Sequence, residues 1–237
     1  HTLLNAYLDH SGDYDGLPLL NFYKVYRAMV RAKIALLETP INPKQTQAYL
    51  EYARQLIQQS RPQLVLTHGF SGSGKSRLST HLAPALDCII LRSDVYRHHK
   101  RFHHAQTNAN LYTPENIGAV YDSLLSVTEQ LLKQGQSVWI DATFLNQVHR
   151  QKFISFAEKH RIPWAILDIQ APHALLTERL SKRPASKAGV SVLEAQMAAH
   201  NPLNPEESEH TVTVNTDIQT PTAYRALITR LQEALSQ

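Results

Sequence analysis

The 237-residue chain is 43% hydrophobic and 19% charged, with a formal net charge of +4, the make-up of a globular protein with one sizeable core and an extra segment. No apolar run reaches 18 residues, which excludes a membrane-spanning helix, and with no basic-then-apolar leader in view no secretory signal is expected. The mild positive charge suits an anionic ligand but is too weak to argue for nucleic acid by itself.

Residues 3–38 show helical periodicity, strongest at Phe22, Tyr26, Met29, Val30, Lys33, Ile34 and Leu37, which recur at intervals of three and four. The turn formers from Ser11 to Gly16 separate two helices, and Thr39 to Pro43 reads as a linker. A further helix is expected over residues 43–59, ended by Ser60-Arg61-Pro62. From Gln63 onward, short apolar runs alternate with helical stretches. Strands are expected at residues 64–68, 88–91, 138–141, 164–169 and 211–214. Helices are expected at 75–86, 113–133, 147–160, 174–181 and 222–235. The second of these has Thr113 as cap, Pro114 in its first turn and Gly135 as its stop. Cys88, the single cysteine, sits among Leu86, Ile89 and Ile90 as a small buried hydrophobe; it cannot form an internal disulfide, so a cytoplasmic setting is the expectation. Short apolar strands, each followed by a helix, imply an α/β fold: a parallel five-stranded sheet flanked by helices, with an N-terminal helical extension.

Between the first strand and its helix, Gly69-Phe70-Ser71-Gly72-Ser73-Gly74-Lys75-Ser76 fills every fixed position of the P-loop pattern G-x-x-x-x-G-K-[ST]. Chance would place this pattern in roughly 1% of chains of this length at average residue frequencies, and the strand before it and helix after it are the context it requires. The glycines let successive N–H groups turn inward toward phosphate oxygens, and the helix that begins at Lys75 adds the positive end of its dipole. Lys75 then faces the β- and γ-phosphates and the Ser76 hydroxyl faces Mg²⁺, with Arg77 next in the chain. A P-loop NTPase binding a nucleoside triphosphate and Mg²⁺ is the expectation; ATP is favoured and GTP is left open.

Ligands of open α/β sheets gather at the carboxyl ends of the strands. There the second strand runs into Arg92-Ser93-Asp94-Val95-Tyr96-Arg97 and the third into Asp141-Ala142-Thr143-Phe144. A carboxylate at such a place either holds Mg²⁺ through its water shell or accepts a proton from an attacking hydroxyl. Asp94 has a third option, capping a helix that starts at Val95. Arg179 and Arg183, four apart at a helix end, suit the equatorial oxygens of a transferring phosphoryl group; a solvated basic helix end would look the same. His98, His99, His103 and His104 flank Lys100-Arg101-Phe102 with no acid or cysteine among them, so a substrate-facing loop is preferred to a metal site.

Taken together, the runs His68 to Ser76, Leu91 to Arg97 and Trp139 to Phe144 resemble the P-loop kinases of the zeta-toxin and polynucleotide-kinase-like group, over about residues 63–217. A closer resemblance is to the C-terminal half of bacterial bifunctional aminoglycoside phosphotransferase/ATP-binding proteins. Leu3 to Leu8, Ser11 to Tyr14 and Phe22 to Lys33 look like the last helices of the preceding half. The resemblance implies a helical tail of that half at 1–38, a linker and helix at 39–62, and a P-loop kinase domain at 63–237. The missing N-terminal domain is then an expected partner; the chain itself has no H-G-D-x-x-x-x-N loop for an activity of the first type. Asp94 is implied as the proton acceptor, Arg97 as its substrate-side neighbour, Asp141 as the acid near metal and substrate with Thr143 after it, and Arg179 and Arg183 as lid arginines. Arg150 falls on a helix where relatives carry an arginine. Relatives often read Ala-Ser-Asp-Ala beyond the second lid arginine, whereas here Ala185-Ser186-Lys187-Ala188 makes the lid more basic. The implied activity is transfer of the γ-phosphate of ATP to a hydroxyl of a small molecule, with no membrane partner. One alternative is a polynucleotide 5′-hydroxyl kinase using Tyr96, His98, Lys100, Arg101 and Phe102. The other is a nucleotide-gated regulatory or toxin-like module.

Overall fold

The computed structural model describes residues 2–38, 40–57, 61–97, 113–182, 189–216 and 220–236. Five strands, β1 (Leu64–His68), β2 (Cys88–Arg92), β3 (Ser137–Asp141), β4 (Trp164–Gln170) and β5 (Thr211–Asn215), form one parallel sheet in the order β2-β3-β1-β4-β5. All five residues of β1 are buried, because helices cover both faces of the sheet. Only β5, an edge strand, alternates buried with exposed residues along its length. One face packs Leu64, Leu66, Ile89 and Ile140 against helical residues such as Leu124 and Phe153; the other packs Val65, Ile90 and Leu167 against Leu78, Leu82 and Leu231.

After the N-terminal helices α1 (Thr2–Ser11), α2 (Leu20–Leu37) and α3 (Pro43–Ile57), the covering helices are α4 (Lys75–Leu82), α5 (Pro114–Lys133), α6 (Gln147–Lys159), α7 (His173–Ser181), α8 (Val190–Ala198), α9 (Pro205–Glu209) and α10 (Pro221–Ala234). Thr113 caps α5 by accepting from the Asn116 N–H, as its sequence position suggests. The helix expected over 75–86 stops being α-helical at Leu82 and tightens into a 3₁₀ turn, Ala83–Leu86, with Pro84 in it and Asp87 at φ 53° after it. Two short helices, α8 and α9, lie where no element was expected. Among the described residues no helix is long and apolar enough to cross a membrane. Cys88 is buried, and burial pushes its thiol up to about 12.

The N-terminal region divides by packing. α1 runs beside β2, and the Asn5 side chain stands in for a neighbouring strand: Nδ2 donates to the Cys88 carbonyl at 3.2 Å and Oδ1 accepts from the Ile90 N–H at 3.0 Å. Those two bonds occupy an otherwise bare sheet edge. Leu8, Tyr14 and Leu17 then enter the same core as the sheet residues. α2 and α3 pack chiefly on each other. Here the helical periodicity points to the wrong face: α2 buries Ala28, Ala32 and Ala35, while Phe22, Tyr26 and Leu37 are 66%, 56% and 73% exposed. Small side chains let the partner helix approach closely, so the interface forms on the alanine stripe rather than on the bulky one.

Candidate active site

From β1 the chain crosses beyond β3 to reach β2, while from β3 it returns past β1 to reach β4. The two departures leave a crevice at the carboxyl ends of β1 and β3, the place where such sheets bind ligands. The P-loop fills it. Gly69, Gly72 and Gly74 have φ of 137°, 88° and 101°, which side chains rarely tolerate. A Cβ on Gly69 would be driven into the Ile169 carbonyl, and one on Gly74 would lie 3.1 Å from Thr216 Oγ1. The Gly69 N–H donates to the Thr143 carbonyl at 3.1 Å, tying the loop to the segment after β3.

Lys75 is 8% exposed, and its Nζ donates to the Gly69 and Phe70 carbonyls at 2.8 and 2.7 Å, so the ammonium lies inside the loop. Its helix is anchored from below: the Trp139 indole donates to Ser79 Oγ at 2.8 Å, and Ser79 donates to the Lys75 carbonyl at 2.9 Å. Arg77 donates to the Thr216 carbonyl at 2.8 Å. Arg179 is not a solvated helix end. Its Nη1 donates to Thr216 Oγ1 at 2.7 Å and to the Gly72 carbonyl at 3.2 Å, which puts a guanidinium against the phosphate loop. Arg183 and the Lys187 departure lie outside the described residues, as do His98, Lys100, Arg101 and the other histidines of that run.

The two acids stand at neighbouring strand ends, since Arg92 and Asp141 are register partners of β2 and β3. Asp141 is 4% exposed. Burial, and next the Asp94 carboxylate, push it up to about 6; Arg92, Lys75 and a hydrogen bond with the Ser76 hydroxyl pull the other way. Arg92 Nε lies 3.4 Å from Asp141 Oδ2, close enough to attract it but not a hydrogen bond, and that buried oxygen has no hydrogen-bond partner among the described residues. A buried carboxylate oxygen without a partner, beside a serine hydroxyl, is a hard-oxygen donor set that fits Mg²⁺. Asp94 is exposed and is the second residue of the helical turn at 93–97; Val95 N–H donates to its Oδ1 at 2.9 Å. The turn begins at Ser93 rather than Val95, so Asp94 lies inside it, in the cleft, and is not its cap.

A cleft of about 1030 Å³ brings together Lys75, Ser76, Arg77, Asp94, Arg97, Asp141 and Arg179. Its far wall is formed by Ile117, Tyr121, Leu145 and His149. Tyr121 is a structural hinge pin of that wall: its hydroxyl meets Thr143 Oγ1 at 3.3 Å and accepts from the Phe144 N–H at 3.1 Å, and its ring stacks on His149 at 4.3 Å. Phe144 itself has φ 47°. Arg150, wholly buried, holds that strained residue in place, donating to the Phe144 carbonyl at 2.8 Å while pairing with Glu207 through Nε and Nη2 at 2.8 and 3.0 Å. Arg150 thus supports the cleft floor from behind without lining it.

Sequence reasoning missed three contributors. Gln196 of α8 accepts from the Ser71 N–H and donates to Ser71 Oγ, both at 3.0 Å, closing the P-loop from above. Glu207 could have been found, because Asn204 and Glu207 form a capping box readable from the sequence. Asp9, which pairs with Arg92 at 3.1 Å, had no local signal at all.

A five-stranded parallel sheet with this loop at its switch point defines a P-loop NTPase fold. A family model described as AAA domain matches residues 64–203, and the chain belongs to that family. An uncharacterized protein of Mycobacterium tuberculosis (strain H37Rv) is 31% identical over 151 residues, covering 60% of this chain but only 30% of that relative's length. Among solved structures, a sugar kinase from Janibacter sp. superposes with a TM-score of 0.57 at 21% identity, over 74% of this chain and 95% of that one. A gluconokinase from Sinorhizobium meliloti gives a TM-score of 0.54 at 20% identity, over 75% and 97%. The fold is thus one found in kinases.

Proposed function

We propose that this chain is an ATP-dependent phosphotransferase that moves the γ-phosphate to a hydroxyl of a small molecule. The observation that carries the reading is one cleft holding a P-loop lysine, a buried strand-end carboxylate beside Ser76, and a second, exposed carboxylate beside Arg97. A binder needs the first two; the second acid is what transfer to a hydroxyl calls for. In this reading the loop N–H groups and Lys75 cradle the phosphates, and Ser76 and Asp141 would hold Mg²⁺, which neutralises phosphate charge when bound. Asp94 orients the acceptor hydroxyl and takes its proton as the oxygen bonds to the γ-phosphorus and the bond to the β-phosphate oxygen breaks, releasing ADP. Arg97 steadies the acceptor. Arg179, with Arg183 beyond the described residues, offsets charge on the transferring group. A cleft lined by Ile117, Tyr121, Leu145 and His149 as well as by the charged groups suits a small acceptor.

We further read the chain as a member of the zeta-toxin and polynucleotide-kinase-like group and as the kinase-like half of a two-part protein, with residues 1–38 the tail of a phosphotransferase-like domain whose first helix packs into the core of the kinase domain, 39–62 a linker and helix, and 63–237 the kinase domain. The outward stripe of Phe22, Tyr26 and Leu37 and the short share of the mycobacterial relative's length support that reading. A cytoplasmic location suits its free, buried cysteine. Asp94→Asn tests the kinase assignment: Mg·ATP binding should persist within about twofold while transfer falls by roughly 10²-fold or more, the scale of general-base catalysis. Undiminished turnover in that variant would remove Asp94 from the mechanism.

A further inference from the structure

Arg92, the last residue of β2, sits between carboxylates from distant parts of the chain. Its Nη1 is 3.1 Å from Asp9 Oδ2 on α1, and its Nε is 3.4 Å from Asp141 Oδ2 on β3. Its Nη2 donates to Thr80 Oγ1 on α4 at 2.6 Å. Even its backbone is held by the N-terminal segment, since the Arg92 N–H donates to the Tyr14 hydroxyl oxygen at 3.1 Å. The Tyr14 ring stacks on Tyr96, 5.8 Å away, in the helical turn that carries Asp94 and Arg97. The Arg92 and Asp9 side chains are 13% and 30% exposed, so their charges act with less screening than surface pairs do.

The arginine is shared unequally. Asp9 and Thr80 take its terminal nitrogens, while Asp141 has only the longer approach of Nε, and neither Arg92 Nε nor Asp141 Oδ2 makes a hydrogen bond among the described residues. A guanidinium beside a buried carboxylate would ordinarily close into a direct, charge-assisted pair. Here its terminal nitrogens are held toward α1 and α4, which leaves the buried Oδ2 of Asp141 without a hydrogen bond among the described residues.

We propose that Asp9 is a positioning residue for the metal site: by holding Arg92, it keeps Asp141 Oδ2 available to Mg²⁺ or its water shell. The inference rests on the kinase reading above. It brings into the working site a residue far outside the matched family region 64–203, and it gives α1 a role beyond covering the edge of β2. Loss of the Asp9 charge frees the guanidinium to close on Asp141, and metal must then compete with it.

The test is calorimetric binding of a non-hydrolysable ATP analogue to the wild type, Asp9→Asn, Asp9→Glu and Asp9→Asn/Arg92→Gln, across a Mg²⁺ series and in EDTA. Asp9→Asn should raise the Mg²⁺ concentration for half-maximal effect by about fivefold or more, a typical coupling between sites, and leave affinity in EDTA within about twofold. Asp9→Glu, which keeps the charge, should stay near the wild type. The double variant should recover most of the lost Mg²⁺ response, because it removes the competing guanidinium; a merely structural role for Asp9 would not be relieved in this way. Mn²⁺ electron paramagnetic resonance reads the same midpoints without turnover. An unchanged midpoint in Asp9→Asn, or a weakened one that Arg92→Gln does not relieve, overturns the proposal. Wild-type binding with no Mg²⁺ response at all would overturn the kinase reading beneath it.

Discussion

Replacing Asp141 with asparagine separates what this carboxylate costs the fold from what it contributes to the site. Asp141 is 4% exposed, and burial followed by the Asp94 carboxylate raises it from 3.8 to about 6. A carboxyl group raised on folding binds its proton more tightly in the native state, so the ionised form costs stability above about pH 6 and the cost disappears below 3.8. The gap between 3.8 and about 6, at about 1.4 kcal/mol per pH unit, comes to about 3 kcal/mol. Asparagine keeps the shape and removes the charge. Metal-free Asp141→Asn should therefore be more stable than the wild type at pH 8 by up to about 3 kcal/mol, roughly 6–12 °C in Tm for a chain of this size. The advantage should shrink as pH falls through the window from about 6 to 3.8. Urea or thermal unfolding in EDTA at three pH values reads this directly. The same variant should lose the Mg²⁺-dependent gain in nucleotide affinity, and in the wild type that gain should fade as pH drops below about 6, because metal binding requires the ionised carboxylate. A variant destabilised by the same margin at every pH would refute the burial argument.

Gly69→Ala forces a Cβ against the Ile169 carbonyl at a φ of 137°, so it should destabilise by about 1–3 kcal/mol and sharply weaken nucleotide binding, measured by unfolding and calorimetry together. Glu207→Gln leaves the wholly buried Arg150 without its countercharge and should cost about 3–5 kcal/mol in unfolding experiments, with turnover falling because the Phe144 turn loosens. Arg179→Met should reduce turnover by up to about 10³-fold while nucleotide affinity changes far less, which steady-state kinetics and calorimetry resolve separately.

The P-loop was legible because its chemistry is contiguous: eight adjacent residues carry the turn geometry, the lysine cation and the Ser76 hydroxyl. The strands were legible for a related reason, since a strand covered on both faces is mostly an unbroken apolar run, as Leu64 to Leu66 is. The buried face of α2 was not, because periodicity ranks residues by bulk while close helix pairing selects alanine. α8 follows Gly189, an N-cap residue with no side chain to mark the start, so its beginning leaves no local signal. Asp94 and Arg179 were open between structural and chemical readings because helix-end spacing is the same for both. Asp94 proves to lie in the cleft, within a helical turn that begins one residue earlier, and Arg179 is bound to the P-loop. The Asp9–Arg92 pair depends on how α1 docks against the β2 edge, and no local spacing encodes that docking.

The fate of the γ-phosphate tests the phosphotransferase reading most directly. Phosphorus NMR of the protein with ATP, Mg²⁺ and a pool of small hydroxylated compounds should show a new phosphomonoester resonance growing in step with ADP, absent with Asp94→Asn. Release of inorganic phosphate alone, with no phosphomonoester from any hydroxyl offered, would contradict it.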